Sequence, residues 1–474
     1  MRYSYLKGLI LFVFLAPISI LHAQHKNIKG TWSGTIQSKT MSVLVVFRLD
    51  KDSANVYSGM LDSPDQFTFD IKFGRIRYEN DSVFLSVPLI SASYKAFVND
   101  TVMKGIWKQS GMKFNLDMKW DTAYKKPEFN RPQEPKPPYP YKEEEVVFEN
   151  KKAGIKLAGT LTIPEHKKPV PAVILITGSG PQDRNEELLK HKPFLVIADY
   201  LTRNGIAVLR FDDRGVGKST GNFSKATTAD FASDVKAAMK YIRKRKDIDS
   251  KNIGLIGHSE GGMIAPMVAS SDKHVAFIVL LAGPGVKIDE LMLKQLELIS
   301  KDYNLNDSII NLTKAINGDA FHVVQSEPDQ VKAADKIRTI YSDHLQKYSE
   351  DQKKEMGLSQ VATESAIVQY MSPWFRYFLN FDPGIYLSRV KCPVLAINGE
   401  KDHQVYSKDN LAAIKKAMEA GKNWDFTVQE MAGLNHLFQA CKLCTTKEYG
   451  RLEETFSPAA LELLTSWIKK HIKN

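Results

Sequence analysis

The sequence predicts an α/β fold in which a doubly wound, mostly parallel sheet carries a helical cap insertion and follows a small all-β barrel or sandwich domain. From about residue 143, short apolar runs alternate with segments of helical spacing. Residues 24–123 instead hold alternating or β-branched runs separated by Gly, Asn, Asp and Pro. The length of 474 residues also exceeds what one ordinary core holds, which favours at least two domains.

The apolar runs of the second part are typical of strands that are buried on both faces of a parallel sheet. They lie at 172–177, 207–212, 252–257, 276–282 and 394–398. Residues 228–243 stand between two of them with apolar side chains at helical spacing. This alternation predicts a doubly wound sheet.

One long segment interrupts the alternation. Residues 287–387 are charged and mostly helical in pattern, and they separate two predicted strands. A connection of this length is usually functional or a subdomain of its own, so we expect a helical cap above the sheet.

The first 23 residues have the pattern of a signal peptide. Arg2 and Lys7 precede an apolar run, and Leu21-His22-Ala23 is a suitable cleavage site. The run is shorter than the roughly 20 residues of a membrane span, although an uncleaved anchor is the alternative. No second run of spanning length follows. The sequence therefore predicts an exported protein, periplasmic or secreted, without a stable membrane span after cleavage.

The domain organisation follows from these patterns. After the signal peptide (1–23) and the all-β domain (24–123), residues 124–142 contain six prolines and favour an extended, semi-rigid spacer. A proline-rich ligand for another domain is the less common alternative. Residues 143–474 form the α/β domain.

Charge and cysteine content limit the possible partners and cofactors. The net charge is +11, but the lysines are spread along the chain, so no nucleic-acid partner is expected. Cys441 and Cys444 are the one close pair of the three cysteines, and a zinc site would need further ligands. We expect a local disulfide or two thiols there rather than a metal site.

The strongest motif surrounds Ser259. A predicted strand leads directly into Gly257-His258-Ser259-Glu260-Gly261, and a helix-like segment follows. The flanking glycines permit a tight turn from strand to helix, which exposes the serine at the N-terminal end of the helix. Backbone N–H groups there favour developing negative charge. The setting predicts a nucleophilic serine.

A serine hydroxyl needs a base, and in this architecture an acid and then a histidine follow it in the chain. Asp402 follows the strand 394–398 and is the predicted acid, and His436 follows the last predicted strand and is the predicted base. Asp402 would orient the His436 ring and stabilise its imidazolium form. Less well placed candidates are Glu400 and Asp409 for the acid, and His258, His403 and His471 for the base.

An oxyanion hole requires two backbone N–H donors near Ser259. One is predicted at Glu260, and the other in the Gly-rich loop after the strand 172–177, at Ser179 or alternatively Gly180. This loop lacks the lysine of a phosphate-binding loop. In a second Gly-rich turn, Asp212 and Arg214 are expected to form an ion pair, although Arg214 could instead bind a substrate carboxylate.

Together these residues resemble the α/β-hydrolase superfamily, and within it the EstD-type carboxylesterases, near relatives of serine peptidases of the same fold. The resemblance covers about residues 145–474. It is carried by Thr177-Gly-Ser-Gly-Pro-Gln-Asp-Arg184, Leu209-Arg-Phe-Asp-Asp-Arg-Gly-Val-Gly-Lys-Ser219, Gly257-His-Ser-Glu-Gly-Gly262, Gly433-Leu-Asn-His436 and Glu453-Glu-Thr-Phe-Ser-Pro458. It implies cofactor-free hydrolysis of carboxylic esters, with Ser259, Asp402 and His436 in the triad positions.

The leading expectation is a carboxylesterase that forms an acyl-enzyme with small to medium ester substrates, glycan-linked esters among them. A serine peptidase or aminopeptidase is the alternative, because the same triad cleaves amides. A non-catalytic binding protein on the same scaffold is a third interpretation, which the intact Ser, Asp and His set disfavours. The sequence leaves the natural substrate and the oligomeric state open.

Overall fold

A computed structural model describes residues 27–37, 42–109 and 112–472. The predicted signal peptide, 1–23, lies outside them. The chain divides into two compact units, Met1–Tyr124 and Lys125–Asn474. No helix within the described ranges is both long and apolar enough to cross a membrane.

The described part of the first unit forms one antiparallel sheet of nine strands, in the order β4-β3-β2-β1-β9-β8-β7-β6-β5. The strands are β1 (Gly30–Gln37), β2 (Ser42–Lys51), β3 (Tyr57–Ser63), β4 (Thr68–Lys72), β5 (Arg75–Glu79), β6 (Ser82–Val87), β7 (Ala92–Asn99), β8 (Val102–Gln109) and β9 (Met112–Trp120). The outermost strands, β4 and β5, are joined by only Phe73 and Gly74, so the sheet curls into a half-barrel.

The half-barrel follows from alternating side chains. In β7, for example, every second residue is buried and the intervening ones are more exposed, as expected for a sheet with one covered face. The buried face packs around the aromatic side chains of Trp32, Phe47, Tyr94 and Trp107. Of the two predicted alternatives, barrel and sandwich, the described strands form the barrel-like one.

The second unit contains an eight-stranded sheet in the order β10-β11-β13-β12-β14-β15-β16-β17. The strands are β10 (Tyr141–Asn150), β11 (Ile155–Pro164), β12 (Val170–Ile176), β13 (Ala207–Phe211), β14 (Ile248–His258), β15 (Ile278–Leu281), β16 (Val394–Gly399) and β17 (Phe426–Met431). Six neighbouring strands of this sheet are mutually parallel, namely β13, β12, β14, β15, β16 and β17. Strands β10 and β11 add an antiparallel edge. The predicted doubly wound, mostly parallel sheet is confirmed.

Helices cover both faces of this sheet. They are α1 (Pro193–Arg203), α2 (Thr228–Ile242), α3 (Gly261–Ala269), α4 (Ile288–Asp302), α5 (Asp307–Ser326), α6 (Gln330–Leu345), α7 (Glu350–Glu355), α8 (Gln360–Tyr370), α9 (Pro373–Leu379), α10 (Pro383–Leu387), α11 (Ser407–Ala420) and α12 (Pro458–His471). Apolar side chains of α1 and α12 fill the core on one face. Those of α2, α3 and α11 fill the core on the other.

The predicted cap consists of helices α4 to α10. It has a core of its own, in which Phe321, Tyr370 and Phe375 pack against one another with ring centroids 5.0–5.9 Å apart. The end of the cap also joins the main core, because Phe378 of α9 and Leu387 of α10 are buried there.

The proline-rich segment after Tyr124 lies against the second unit. The Arg131 guanidinium donates hydrogen bonds to the backbone carbonyls of Leu189, Lys190, Gly450 and Leu452. Backbone carbonyls are strong acceptors, and the five N–H donors of an arginine suit such a cluster. This segment is therefore held on the surface of the α/β domain.

Candidate active site

Ser259 stands on the predicted turn between β14 and α3. Its φ angle is +52°, in the left-handed region, and its N–H donates to the Leu281 carbonyl at 2.9 Å. A Cβ atom at Gly257 would lie 2.0 Å from the Gly261 carbonyl oxygen, and one at Gly261 would lie 2.2 Å from that of Ile176. Only glycine fits at these two positions, so the turn that presents Ser259 depends on them.

Asp402 and His436 meet at the same edge of the sheet, because both follow the carboxyl ends of parallel strands. His436 Nδ1 lies 2.7 Å from Asp402 Oδ2, and both residues are buried. Asp402 Oδ1 accepts the backbone N–H groups of Gln404 and Val405 at 2.7 and 2.8 Å. These bonds fix the carboxylate, so its second oxygen points at the histidine ring. The proton transfer from Ser259 to His436 stays a prediction.

The less well placed candidates have other partners. Glu400 accepts the Gly433 N–H at 3.0 Å and pairs with Lys401 on the surface, and Asp409 is exposed on α11. His403 pairs with Asp302 at 3.0 Å. His471 lies 2.8 Å from the Trp467 carbonyl oxygen and also contacts Asp425.

Two N–H groups near Ser259 are already bonded within the protein. The Gly178 N–H donates to Glu186 Oε1 at 2.7 Å, and the Ser259 N–H donates to Leu281. The predicted oxyanion donors Glu260 and Ser179, with Gly180 as the alternative, stay predictions. Gly180 has a φ of +97° and open space around its Cβ position, so a substrate oxygen could approach this loop closely.

The Glu260 side chain has a role that the sequence did not indicate, because only its backbone was assigned. Its carboxylate is buried and accepts hydrogen bonds from Thr228 Oγ1 at 2.7 Å, from Trp374 Nε1 at 3.0 Å and from the Ser179 side chain. Burial raises the pKa of Glu260, and these donors oppose the rise. One carboxylate thus connects the serine turn to α2, to the Gly-rich loop and to α9 of the cap.

His258, the residue before Ser259, also has buried polar partners. Its Nδ1 lies 3.0 Å from Glu186 Oε1, and its Nε2 lies 3.1 Å from the backbone carbonyl oxygen of His436. Burial lowers the pKa of His258, but the Glu186 carboxylate and the His436 carbonyl raise it, and the net direction is upward. The imidazole rings of His258 and His436 have centroids 4.8 Å apart, so the loop of His436 lies beside the serine turn.

The sequence missed Glu186 as a functional candidate. A buried histidine needs a partner for each ring nitrogen, which is a signal that an acid or a carbonyl lies nearby. Which acid meets His258 is set by the loop between β12 and α1, which brings residue 186 back beneath the turn. Apolar periodicity carries no information about that path.

The expected ion pair between Asp212 and Arg214 is wrong. Asp212 instead accepts two hydrogen bonds from the Arg184 guanidinium, at 2.9 and 2.8 Å. Arg214 binds Asp234 of α2 through two hydrogen bonds of 2.7 and 2.9 Å. Strand β13 ends at Phe211, so the chain turns between the two side chains and sends them to different partners. Arg214 is buried in this pair, which leaves it unavailable to a substrate carboxylate.

Asp213, between these two residues, is a half-buried carboxyl next to the Gly-rich loop. It accepts hydrogen bonds from Thr177 Oγ1 at 2.8 Å and from the Gln182 N–H at 2.9 Å. Burial raises the pKa of Asp213 to about 8. Because Thr177 and Gln182 lie at the two ends of this loop, Asp213 holds its ends together.

The segment after His436 closes with a disulfide between Cys441 and Cys444, one of the two expected states of that pair. Cys392 lies outside this disulfide. Within the described ranges, no group of three or more His, Cys, Asp or Glu side chains could hold a metal ion.

Comparison with known proteins agrees with this architecture. Residues 192–347 match Hydrolase_4, the serine aminopeptidase family S33. The chain is 25% identical to Esterase EstD of Thermotoga maritima over 291 residues. The matched residues are 61% of this chain and only 60% of the length of that esterase.

Two solved structures align with about the same part of the chain. The structure of DcsB in complex with its substrate analogue is 17% identical, covers 70% of this chain and 99% of that chain, and has a TM-score of 0.43. The Pyrococcus furiosus esterase PF2001 is 18% identical, and the alignment covers 70% of this chain and 91% of that chain, with a TM-score of 0.41. The sheet order and the family match together show that the second unit has the α/β-hydrolase fold, and the chain resembles the S33 serine hydrolases and Esterase EstD of that superfamily.

Proposed function

We propose that this protein is a serine hydrolase that cleaves carboxylic esters of small to medium substrates. The observation that carries the proposal is the buried, 2.7 Å contact between His436 and Asp402 at the edge of the sheet where Ser259 stands. A carboxylate that accepts from Nδ1 leaves Nε2 of the ring as the base for a serine hydroxyl.

In the proposed reaction, Ser259 Oγ attacks the ester carbonyl while His436 takes the hydroxyl proton. The tetrahedral oxyanion is stabilised by the backbone N–H groups of Glu260 and Ser179. His436 then gives its proton to the leaving alcohol, and an acyl-enzyme remains. A water molecule that His436 deprotonates releases the carboxylic acid and restores the serine.

The cap supports a preference for substrates of limited size. The α9 residue Trp374 donates its indole N–H to Glu260, next to the nucleophile. The cap therefore contacts the turn that carries Ser259, where its side chains can line the acyl or alcohol pocket. Esters on acetylated or feruloylated sugars belong to the substrate classes that we propose.

A serine aminopeptidase is the second candidate, and the match of residues 192–347 to the S33 family favours it. The two activities are separated by offering the purified protein p-nitrophenyl acetate and butyrate beside aminoacyl nitroanilides. We expect ester turnover to exceed anilide turnover. Brisk anilide cleavage with no ester turnover would contradict the esterase assignment.

The nucleophile is tested by Ser259→Ala. We expect this variant to lose ester turnover and labelling by a fluorophosphonate probe, because the attacking oxygen is removed. The control is Ser224→Ala, which changes an exposed serine outside the site and should retain both. Full ester turnover in Ser259→Ala would refute the assignment of the nucleophile.

We also propose that the protein is exported after cleavage of residues 1–23. The disulfide between Cys441 and Cys444 supports this, because such bonds persist mainly in oxidising compartments. Fractionation of cells that express the full chain, with sequencing of the mature N-terminus, tests the proposal. A mature protein that retains residue 1 in the cytoplasm would contradict it.

A further inference from the structure

His258 lies between two oxygen atoms and is sealed from water. Only 7% of the residue is exposed, and only 4% of Glu186. On one side, Nδ1 faces Glu186 Oε1 at 3.0 Å, and on the other, Nε2 faces the His436 carbonyl oxygen at 3.1 Å. The site described above uses neither His258 nor Glu186 for chemistry.

These contacts determine how many protons the ring carries. A backbone carbonyl oxygen can only accept, so Nε2 must donate to His436. The Glu186 Oε1 atom already accepts the Gly178 N–H at 2.7 Å, as an ionised carboxylate oxygen does. A neutral imidazole has only one N–H. If Nε2 carried it, the lone pair of Nδ1 would face a lone pair of Glu186 Oε1 in a buried place. With Glu186 as a carboxylate, which can only accept, both nitrogens therefore need a proton.

We propose that His258 is a buried imidazolium paired with the Glu186 carboxylate, and that this pair positions the base and the oxyanion loop around Ser259. The catalytic part of this inference rests on the proposed hydrolase function. The charge state of His258 rests on the hydrogen-bond geometry alone.

The pair connects three parts of the site. His258 Nε2–H holds the carbonyl of His436 and so fixes the backbone of the predicted base. Glu186 holds the Gly178 N–H, and a Cβ atom at Gly178 would lie only 3.2 Å from the Ser259 Cβ. His258 itself precedes Ser259 in the chain. One proton thus maintains the relative placement of the nucleophile, the base and the Gly-rich loop.

The groups that face His258 favour its charged form. Glu186 lies on the loop before α1, and Asp402, on the loop after β16, adds a more distant attraction. The His436 ring is also titratable and lies beside His258, with ring centroids 4.8 Å apart. Because these groups raise the pKa of His258, its proton persists above the ordinary histidine range and is lost as the pH rises through the raised pKa. Ester turnover should fall in the same alkaline range.

The charge state can be measured without any substrate. The full chain is labelled with ¹⁵N-histidine, and the number of N–H protons on each ring is read from NMR spectra at pH 8. An exposed histidine, with a pKa near about 6.5, is neutral there. We expect one ring to keep two N–H protons in the wild type and to lose one of them in Glu186→Gln. A wild-type spectrum in which no histidine keeps two ring protons at pH 8 would overturn the proposal.

The positioning role is measured by the kinetics of Glu186→Gln, which keeps the shape of the side chain and removes its charge. We expect kcat/KM for p-nitrophenyl butyrate to fall about 10- to 100-fold at pH 8, the equivalent of one charge-assisted hydrogen bond. The loss should lie in kcat rather than KM, and it should grow as the pH rises. A deficit of equal size at every pH would indicate a merely structural role and contradict the inference.

The matched control is His274→Gln. His274 pairs with Asp272 at 2.8 Å, but at an exposed position away from the site, so its loss should leave the pH profile unchanged. The two proposals fail separately. A doubly protonated ring in a protein without ester or anilide turnover would refute the hydrolase function alone. A singly protonated ring in an active esterase would refute the imidazolium alone.

Discussion

At the residue scale, the two oxygens of Asp402 have different tasks. Oδ1 accepts two backbone N–H groups of the turn at 404 and 405, whereas Oδ2 accepts from His436. An amide in this position can keep the first set of bonds through its oxygen. Its NH₂ group would then face His436 Nδ1 and force the proton onto Nε2, the nitrogen that acts as the base in the proposed reaction.

Asp402→Asn should therefore fold but turn over poorly. We expect kcat for p-nitrophenyl butyrate to drop by about 10⁴-fold, as when a triad histidine is held in the wrong tautomer. The thermal midpoint should stay close to that of the wild type, because the turn keeps its acceptor. Asp409→Asn, an exposed change on α11, is the control that should retain full activity. A drop of less than about tenfold would show that Asp402 is not the orienting acid.

Single residues differ in how well the sequence predicts their place in the site. Ser259, Asp402 and His436 could each be named because a Gly-containing turn follows a predicted strand at those points. Glu186 and Trp374 could not, because their partners lie 72 and 114 positions away and depend on how a loop and the cap fold back. Patterns of local spacing indicate where a turn stands, but they do not indicate which distant side chain enters it.

At the scale of elements, helix α9 links the cap to the turn that carries Ser259. Its Trp374 stacks on Phe378 of the same helix with ring centroids 4.8 Å apart, and its indole N–H reaches the buried Glu260. A buried acceptor that loses its donor costs free energy, so this hydrogen bond stabilises the contact between α9 and Glu260. The cap thus gains stability from the residue that directly follows Ser259.

Trp374→Phe removes this one bond and keeps an aromatic ring. We expect the free energy of unfolding to fall by about 1–3 kcal/mol, the usual cost of leaving a buried acceptor without its donor. Urea titration followed by fluorescence and circular dichroism measures it. The matched control is Trp424→Phe, whose side chain is 72% exposed, and which should change stability by less than about 0.5 kcal/mol. Equal effects of the two substitutions would contradict the role of the Glu260 contact.

The elements themselves were partly predictable. Continuous apolar runs placed the buried strands to within a few residues, since both faces of a parallel sheet exclude polar side chains. The beginning of β14 at Ile248 was missed because the three residues that follow it, Asp249 to Lys251, are polar and more exposed. The proline-rich segment was expected to be a spacer. Its attachment through Arg131 depends on carbonyl groups more than 300 residues along the chain, at Gly450 and Leu452.

At the scale of the whole molecule, each unit has a hydrophobic core of its own. The half-barrel core contains only residues from the first unit, and the sheet and cap cores contain only residues from the second. Every side chain that we assign to the site lies within Lys125–Asn474. Separate cores are what allows domains to unfold separately.

We therefore expect two unfolding transitions when the mature chain is heated in a calorimeter. A shortened chain of residues 125–474 should show the second transition alone and keep the kcat/KM of the full protein for p-nitrophenyl butyrate. A small soluble ester is the right probe, because it requires only the groups of the second unit. One transition for the mature chain, or an inactive but folded 125–474 chain, would contradict this independence.

The glycine-lined turn has a practical consequence for protein engineering. A methyl group at Gly257, Gly261 or Gly262 would lie 2.0–2.5 Å from backbone atoms. Saturation mutagenesis at these positions therefore yields misfolded variants, whichever substrate the library is selected on. Combinatorial libraries that aim at new acyl groups should leave these three codons fixed. Their diversity belongs in the cap, which stands on a scaffold that the closely packed turn keeps rigid.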